Sequence, residues 1–337
     1  MKRFILRGLL YLSPLFIIIV VVFIVDPYYL FTDQDKYDEA KFQIGYSFDQ
    51  GRRYKIFTYC NKPTDKIILG ASEINIINEH NIPEDGWHSL SYGGAPLQES
   101  LQMYWEVQKI NPIKKVLIAP EFIKYYNAIS TSNGDSYYAN YSWDSSQSAR
   151  TFEIYDNKFD YFIDKYTLKS TWQFIIHLFG KNSNRSKPQV DKFSFWKSQL
   201  DYAHKQYENN VVIPEKIDEI KGLFSSIKEN SEKKGIEIMI VIPIQHIDLL
   251  RVEFQDGVFD IYKDYISFLA ETFDGIYYLS YQDLISDKDN LFSDPFHCLD
   301  NECYLNALFG DSKINPLTAD TTDVFLNNVR LKLFYNE

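Results

Sequence analysis

Four short apolar runs constrain the fold of this chain more than any other feature. They read KIILG at 66–70, VLIAP at 116–120, IEIMIVIPI at 236–244 and GIYYLS at 275–280. Runs that are apolar throughout, rather than alternating between apolar and polar residues, are typical of strands covered on both faces. We therefore predict an α/β fold whose parallel sheet is flanked by helices.

Helical segments are predicted between these runs. Residues 95–110 and 214–234 carry apolar side chains at helical spacing, and the second segment begins with Pro214 and stops before Gly235. Residues 258–273 form a third such segment directly before the last apolar run. This alternation predicts a three-layer α/β/α domain over residues 61–337.

The strand and helix pattern breaks down between about residues 123 and 211. This stretch is rich in Tyr, Phe, Trp, Ser and Asn and is too long for an ordinary connection. We predict an inserted helical cap. Its aromatic side chains either pack inside the cap or stack on sugar rings, as considered for Tyr137, Tyr138, Tyr141 and Trp143.

The N-terminal segment has the pattern of a membrane anchor. Leu9–Val25 contains no charged residue, and Asp26 follows it. Three basic residues precede it: Lys2, Arg3 and Arg7. Residues 1–26 are therefore predicted to form one transmembrane helix with its N-terminus in the cytoplasm, rather than a cleaved signal peptide with a shorter apolar region. Residues 27–60 are predicted to be a tether that packs on the domain.

Composition excludes several functional classes. The formal charge is −11, from 35 basic and 46 acidic residues, so a basic surface for nucleic acid is not expected. The three cysteines are too few for a disulfide framework and are expected to be free thiols. The six histidines do not cluster and no pair of cysteines has zinc-ligand spacing, so neither a metal nor a cofactor is predicted.

Three short motifs combine residues suited to catalysis. Ser72 follows the first apolar run directly, where an open α/β sheet binds its ligands, although a serine there also suits a helix cap. Asp294 precedes His297 by three residues, a spacing that lets a carboxylate orient an imidazole or, alternatively, cap a helix beside a surface histidine. Gly93 and Gly94 either let a backbone N–H approach a ligand or form a plain turn.

Taken in this order, the strand–GxS motif, the glycine turn and the DxxH motif resemble the SGNH (GDSL-like) hydrolase superfamily over residues 66–122 and 236–310. With the predicted anchor and insertion, the chain looks most like the membrane-anchored branch. That branch includes the D-alanyl transfer protein of teichoic-acid modification and the alginate and cellulose O-acetylation proteins. The resemblance implies a flavodoxin-like sheet.

The resemblance also implies roles for individual residues. Ser72 would be the nucleophile, His297 its base and Asp294 the acid that orients the base. Gly93 or Gly94 would donate one hydrogen bond to the oxyanion, and the Ser72 backbone N–H would donate another. These assignments describe a serine hydrolase that uses no cofactor.

One position near these motifs departs from the superfamily's pattern, and a second position has two interpretations. The superfamily carries an asparagine donor after its third strand, which corresponds here to the run at 116–120. Ala119, Pro120, Glu121 and Phe122 stand at the end of that run instead. His246 follows the apolar run at 236–244, where it either lines the substrate site or is a hydrogen-bonded loop residue.

The resemblance implies an extracytoplasmic serine acyltransferase or esterase, anchored by a single pass in a bacterial cell membrane. It would act on O-acetyl or similar esters of a cell-surface polysaccharide or glycopolymer, beside an integral-membrane O-acyltransferase. The alternatives are a non-catalytic SGNH-fold scaffold that binds a glycan or such an acyltransferase, and a lipase. The missing asparagine favours the scaffold, whereas Ser72, Asp294 and His297 together favour an enzyme.

Overall fold

The computed structural model describes residues 2–32, 51–78, 81–130, 158–179, 191–280, 289–310 and 314–335. The chain divides into two compact units. We call them the N-terminal unit, formed by Met1–Pro63 and Asp144–Pro188, and the α/β unit, formed by Thr64–Trp143 and Gln189–Glu337.

Twelve α-helices and seven strands lie in the described part of the chain. The helices are α1 (Lys2–Val25), α2 (Gly51–Asn61), α3 (Leu97–Val107), α4 (Phe122–Ile129), α5 (Lys158–Ile163), α6 (Lys165–Leu178), α7 (Lys192–Asn209), α8 (Pro214–Lys234), α9 (Ile247–Glu253), α10 (Phe259–Thr272), α11 (Asn301–Phe309) and α12 (Ala319–Tyr335). The strands are β1 (Lys66–Gly70), β2 (Trp87–Ser89), β3 (Lys115–Ala119), β4 (Glu237–Ile242), β5 (Tyr277–Tyr278), β6 (Phe292–Asp294) and β7 (His297–Cys298).

The predicted parallel sheet is confirmed. Its five strands run in the order β2-β1-β3-β4-β5, and every neighbouring pair is parallel. This is the flavodoxin-like strand order, in which the sheet changes winding direction between β1 and β3. The central strands fill the predicted apolar runs, whereas β5 occupies only Tyr277–Tyr278 of the run at 275–280. Such sheets bind ligands outside the carboxyl ends of β1 and β3.

Helices cover both faces of the sheet, which explains why its strands are apolar throughout. On one face, Ile68, Leu117 and Met239 pack in a buried cluster with Tyr304 and Leu308 of α11. On the other face, α3 contacts β1 and α8 contacts β4. Burying each large apolar side chain contributes about 1.5–3 kcal/mol, so these two layers hold the sheet rigid beneath the loops at its carboxyl edge.

The ends of α8 follow the predicted signals. Pro214 occupies the first turn, and Gly235 ends the helix in the left-handed conformation with φ 65°. Glycine suits that position because a Cβ atom there is strained. The helices α3 and α10 lie within the segments predicted at 95–110 and 258–273.

The predicted transmembrane anchor is not supported. Among the residues that the structure describes, no helix combines the length and the apolar character that crossing a membrane requires. In α1, the last turn packs inside the N-terminal unit, where Val22 and Val25 are buried. Other side chains of α1 are exposed, among them Tyr11, Phe16 and Ile24.

A buried turn follows α1 at the start of the segment predicted to be a tether. Asp26 is fully buried, and its carboxylate accepts hydrogen bonds from the N–H groups of Leu30 and Thr32 at 2.9 Å and from the Tyr161 hydroxyl at 2.8 Å. The end of the predicted tether at 27–60 is helix α2. Residues 33–50 of that prediction lie outside the described residues.

The segment predicted as an insertion, 123–211, contributes helices to both units. Helices α5 and α6 lie in the N-terminal unit, and α4 and α7 lie in the α/β unit. Within the α/β unit, α7 packs against α4 and α9. The aromatic residues considered for sugar stacking, at 137, 138, 141 and 143, lie outside the described residues.

Candidate active site

Ser72 lies at the ligand-binding edge of the sheet, as its sequence position predicts. It begins a short 3-10 turn, Ser72–Ile74, directly after β1, and it is half-buried. Gly70 makes this turn possible, because a Cβ atom there would stand 2.7 Å from Ile74 Cγ2 and 3.1 Å from the Ala119 carbonyl oxygen. The close approach of β1, β3 and the turn therefore requires glycine.

Asp294 and His297 form the predicted pair. They lie on the antiparallel hairpin of β6 and β7, which places the His297 Nδ1 atom 2.8 Å from each carboxylate oxygen of Asp294. Asp294 also accepts the Phe296 N–H at 2.9 Å. Burial raises the pKa of Asp294, but the hydrogen bond and charge of His297 outweigh that effect and hold the pKa below its usual value. The carboxylate is thus set to orient the imidazole.

The hairpin lies beside the Ser72 turn. Cα atoms of β7 come within 8 Å of Cα atoms of the turn. Tyr304 joins the turn to the segment after β4, because its hydroxyl donates to the Glu73 carbonyl oxygen at 3.4 Å and accepts the Ile244 N–H at 2.9 Å. Among the described residues, no hydrogen bond joins the Ser72 hydroxyl to His297. The structure therefore pairs Asp294 with His297 beside the turn that begins with Ser72, without a hydrogen bond between His297 and the serine.

The glycine loop is tied to the same turn. Gly94 has φ 76°, a conformation that suits glycine, and both Gly93 and Gly94 are half-buried. The Ser91 hydroxyl, just before the loop, donates to the Asn75 side-chain oxygen at 2.6 Å. This contact holds the loop after β2 close to the turn after β1. The role of the glycines as oxyanion donors stays a prediction.

Glu121 is a site residue whose role the sequence did not reveal. It occupies the N-cap position of α4 without capping that helix through its side chain. Instead, its Oε1 atom accepts the backbone N–H of Glu73 at 2.9 Å. The position directly after the apolar run at 116–120 was the available signal. Glu121 thus stands just after β3, and its side chain binds the residue that follows Ser72.

Three buried glutamates lie beneath this edge of the sheet: Glu73, Glu121 and Glu253. Burial first, and then the charges of Glu121 and Glu253, hold the pKa of Glu73 well above its usual value. Both of its carboxyl oxygens are enclosed without a hydrogen-bond partner among the described residues. Burial raises the pKa of Glu253 to about 8, although Tyr207 and Gln245 donate hydrogen bonds to it.

Glu121 shares this environment. Burial raises its pKa against the opposing effects of Lys124, the Glu73 N–H and His297. Crowded carboxyl groups in an apolar environment do not all ionise, because each negative charge disfavours the next. Glu253, with its pKa of about 8, therefore holds a proton near neutral pH.

His246 forms hydrogen bonds with both the hairpin and α9. Its Nδ1 accepts the Asp248 N–H at 3.2 Å, its Nε2 lies 3.0 Å from Asp289 Oδ1, and its backbone N–H donates to the Pro295 carbonyl oxygen at 3.0 Å. The ring is almost fully buried. Of the two interpretations of His246, this geometry fits the hydrogen-bonded loop residue, and its contact with substrate stays a prediction.

The described residues contain no group of three or more His, Cys, Asp or Glu side chains that could hold a metal ion. None of the three cysteines, Cys60, Cys298 and Cys303, forms a disulfide. Cys298 and Cys303 flank Asp300, which caps α11 by accepting the Glu302 N–H at 3.0 Å. The thiols of Cys298 and Cys303 therefore belong to the packing of this end of α11.

No family model, curated protein or solved structure matches this chain. A functional assignment therefore depends on the geometry of the site itself.

Proposed function

We propose that this protein is a serine esterase or acyltransferase of the SGNH type. The observation that carries the proposal is the Asp294–His297 pair, held beside the Ser72 turn at the carboxyl edge of β1 and β3. The strand order, the glycine loop and the order of the three motifs along the chain also fit this type. Fold resemblance alone does not define a reaction, so the pair is the stronger argument.

The proposed reaction proceeds through an acyl-enzyme. The Ser72 oxygen attacks the carbonyl carbon of an ester, and its proton passes to His297 Nε2 while Asp294 holds the Nδ1–H. The tetrahedral intermediate then breaks its bond to the leaving alcohol, which takes the proton from His297. An acceptor hydroxyl or water attacks the acyl-serine, returns a proton through His297 and releases Ser72.

Substrate binding must complete the contact between Ser72 and His297. Catalytic hydrogen bonds are often long or misaligned without substrate and tighten in the reacting complex. The half-buried Ser72 hydroxyl makes no hydrogen bond within the described part of the chain, so it is free to rotate toward the hairpin.

We also propose the substrate class and location implied by the resemblance. The acyl acceptor would be a hydroxyl of a cell-surface polysaccharide or glycopolymer. The protein would act on it beside an integral-membrane O-acyltransferase. The net charge of −11 disfavours a polyanionic acceptor.

The uncharged N-terminal run would associate the protein with a bacterial membrane, with the α/β unit outside the cytoplasm. Protease accessibility in intact cells and spheroplasts tests this topology, which a protected α/β unit would contradict.

Ester turnover by the full-length chain tests the reaction. With p-nitrophenyl acetate, we expect turnover that Ser72→Ala and His297→Ala each lower about 10³-fold or more, because each removes a member of the triad. Ser226→Ala on α8 is the matched control and should leave turnover unchanged, because its hydroxyl bonds only the Leu223 carbonyl oxygen within its own helix. Equal turnover by Ser72→Ala and the parent would show that Ser72 is not the nucleophile.

A non-catalytic scaffold is the second candidate, favoured by the missing hydrogen bond between Ser72 and His297. Such a protein would bind a glycan or an integral-membrane acyltransferase through the same edge of the sheet. It would bind polysaccharide fragments in calorimetry without any serine-dependent turnover. Binding together with turnover that depends on Ser72 would exclude it.

A further inference from the structure

The third oxyanion donor of an SGNH-type site is missing from the sequence, because Glu121 stands where an asparagine is expected. An ionised carboxylate has no proton to donate and would repel an oxyanion. A neutral carboxylic acid, in contrast, both accepts and donates, as an amide side chain does. The protonation state of Glu121 therefore decides whether the site is complete.

The surroundings of Glu121 fit the neutral form. Glu121, Glu73 and Glu253 are all buried, and burial of neighbouring carboxyl groups disfavours their charged forms. The Oε1 atom of Glu121 accepts the Glu73 N–H at 2.9 Å, a contact that both the neutral and the charged form can make. Its Oε2 atom makes no hydrogen bond with the described residues, and it is not among the fully enclosed oxygens that lack a partner. The second oxygen is thus available to a ligand, in contrast to both carboxyl oxygens of Glu73, which are enclosed.

The position of Glu121 fits a donor at the reacting centre. It follows β3, the neighbour of β1, and Gly70 pairs with Ala119 at the ends of these strands. The side chain binds the N–H immediately after Ser72. The Ser72 N–H itself donates to no acceptor among the described residues. A backbone donor and a carboxyl group therefore converge beside the proposed nucleophile.

We propose that Glu121, as a neutral carboxylic acid, donates a hydrogen bond from Oε2 to the oxyanion that forms when Ser72 attacks an ester. The Ser72 N–H and a glycine-loop N–H supply the other donors. This inference rests on the proposed function, and it explains how the site works without the asparagine. A buried carboxyl group kept neutral is an established kind of oxyanion donor in other enzymes.

The titratable groups around Glu121 determine how its protonation, and therefore turnover, depends on pH. The pKa of Glu121 is raised by burial and lowered by Lys124 on α4 and His297 on the hairpin. Glu73 on the turn and Glu253 on α9 are the neighbouring carboxyl groups. As the pH rises through the pKa of Glu121, the donor is lost, so turnover must fall on the alkaline side.

Two substitutions at Glu121 test the donor in full-length protein with p-nitrophenyl acetate. Glu121→Gln keeps an acceptor and an N–H donor in the same shape, so its kcat at pH 6 should stay within about threefold of the parent and its alkaline decline should disappear. Glu121→Ala removes the donor and should lower kcat about 10²–10³-fold with little change in KM. Thermal melts of both variants establish that they are folded.

Glu253→Gln is the matched control, because it neutralises another buried carboxyl group with a raised pKa. It should leave the alkaline decline of kcat in place. The proposal is overturned if Glu253→Gln abolishes that decline, if folded Glu121→Gln loses as much kcat as Glu121→Ala, or if Glu121→Ala retains kcat within threefold. Should Glu121→Ala not fold, the pH profile of Glu121→Gln decides alone. Turnover that does not depend on Ser72 would instead overturn the proposed function, and this inference with it.

Discussion

Among single residues, Asp294 has the most specific proposed role. Its carboxylate faces His297 Nδ1 at 2.8 Å from both oxygens, which favours the tautomer that carries its proton on Nδ1 and directs the Nε2 lone pair to the proposed role of base. Because its pKa is held below the usual value, the carboxylate stays ionised at mildly acidic pH. The orientation of His297 should therefore persist over the working pH range of the site.

Substituting Asp294→Asn tests this role. The amide would present an N–H to Nδ1 and force the proton onto Nε2, so kcat for p-nitrophenyl acetate should fall about 10³–10⁴-fold. Asp300→Asn is the control, because asparagine caps a helix as well as aspartate does and should leave kcat unchanged. A folded Asp294→Asn variant with the parent's kcat would show that the pair has no part in turnover.

Among elements, β1 shows how the sheet and the site depend on one another. Gly70 pairs with Ala119 on β3, and the Ile74 side chain of the following turn packs over it. The pattern of apolar runs predicted β1, β3 and β4 well, because strands buried on both faces must be apolar throughout. The three-residue spacing predicted the Asp294–His297 contact, because that contact is local.

Contacts between distant parts of the chain were not predictable in the same way. The Glu121–Glu73 hydrogen bond joins residues 48 positions apart and depends on the register of β1 against β3. The buried turn at Asp26 depends on Tyr161, which lies 135 positions away. Local hydropathy indicated a membrane segment and a tether there, since it carries no information about such a partner.

Gly70→Ala tests the close packing at the end of β1. A Cβ atom 2.7 Å from Ile74 Cγ2 and 3.1 Å from a backbone oxygen forces a shift, so the free energy of unfolding should fall by about 1–3 kcal/mol. Gly222→Ala is the control, because nothing lies within 4 Å of the added atom in α8, and it should raise that free energy by about 0.5–1 kcal/mol. Urea unfolding measures both changes, and equal effects of the two substitutions would contradict this packing.

For the whole molecule, the buried carboxyl groups set the dependence of stability on pH. The pKa of Glu253 rises from 4.5 to about 8 on folding, so the folded state holds a proton that the unfolded state has already lost in that interval. The contribution is complete below pH 4.5 and is lost as the pH rises towards 8. Asp294 has the opposite sign, and its contribution is lost as the pH falls through its lowered pKa.

We therefore expect the chain to be more stable at pH 5.5 than at pH 8.5. Glu253→Gln should reduce this difference, because glutamine cannot ionise, whereas substitution of the exposed Glu229→Gln on α8 should not. Urea midpoints at the two pH values measure the effect. An unchanged midpoint difference in Glu253→Gln would show that Glu253 does not take up a proton on folding.

The central claim is that Ser72 is a nucleophile activated by the Asp294–His297 pair. Labelling of the full-length chain with a fluorophosphonate, followed by mass spectrometry of its peptides, tests it most directly. We expect the label on Ser72, a loss of labelling in Ser72→Ala, and parent-like labelling in Ser226→Ala. Parent protein that takes up no label, or labelling that persists in Ser72→Ala, would contradict the claim.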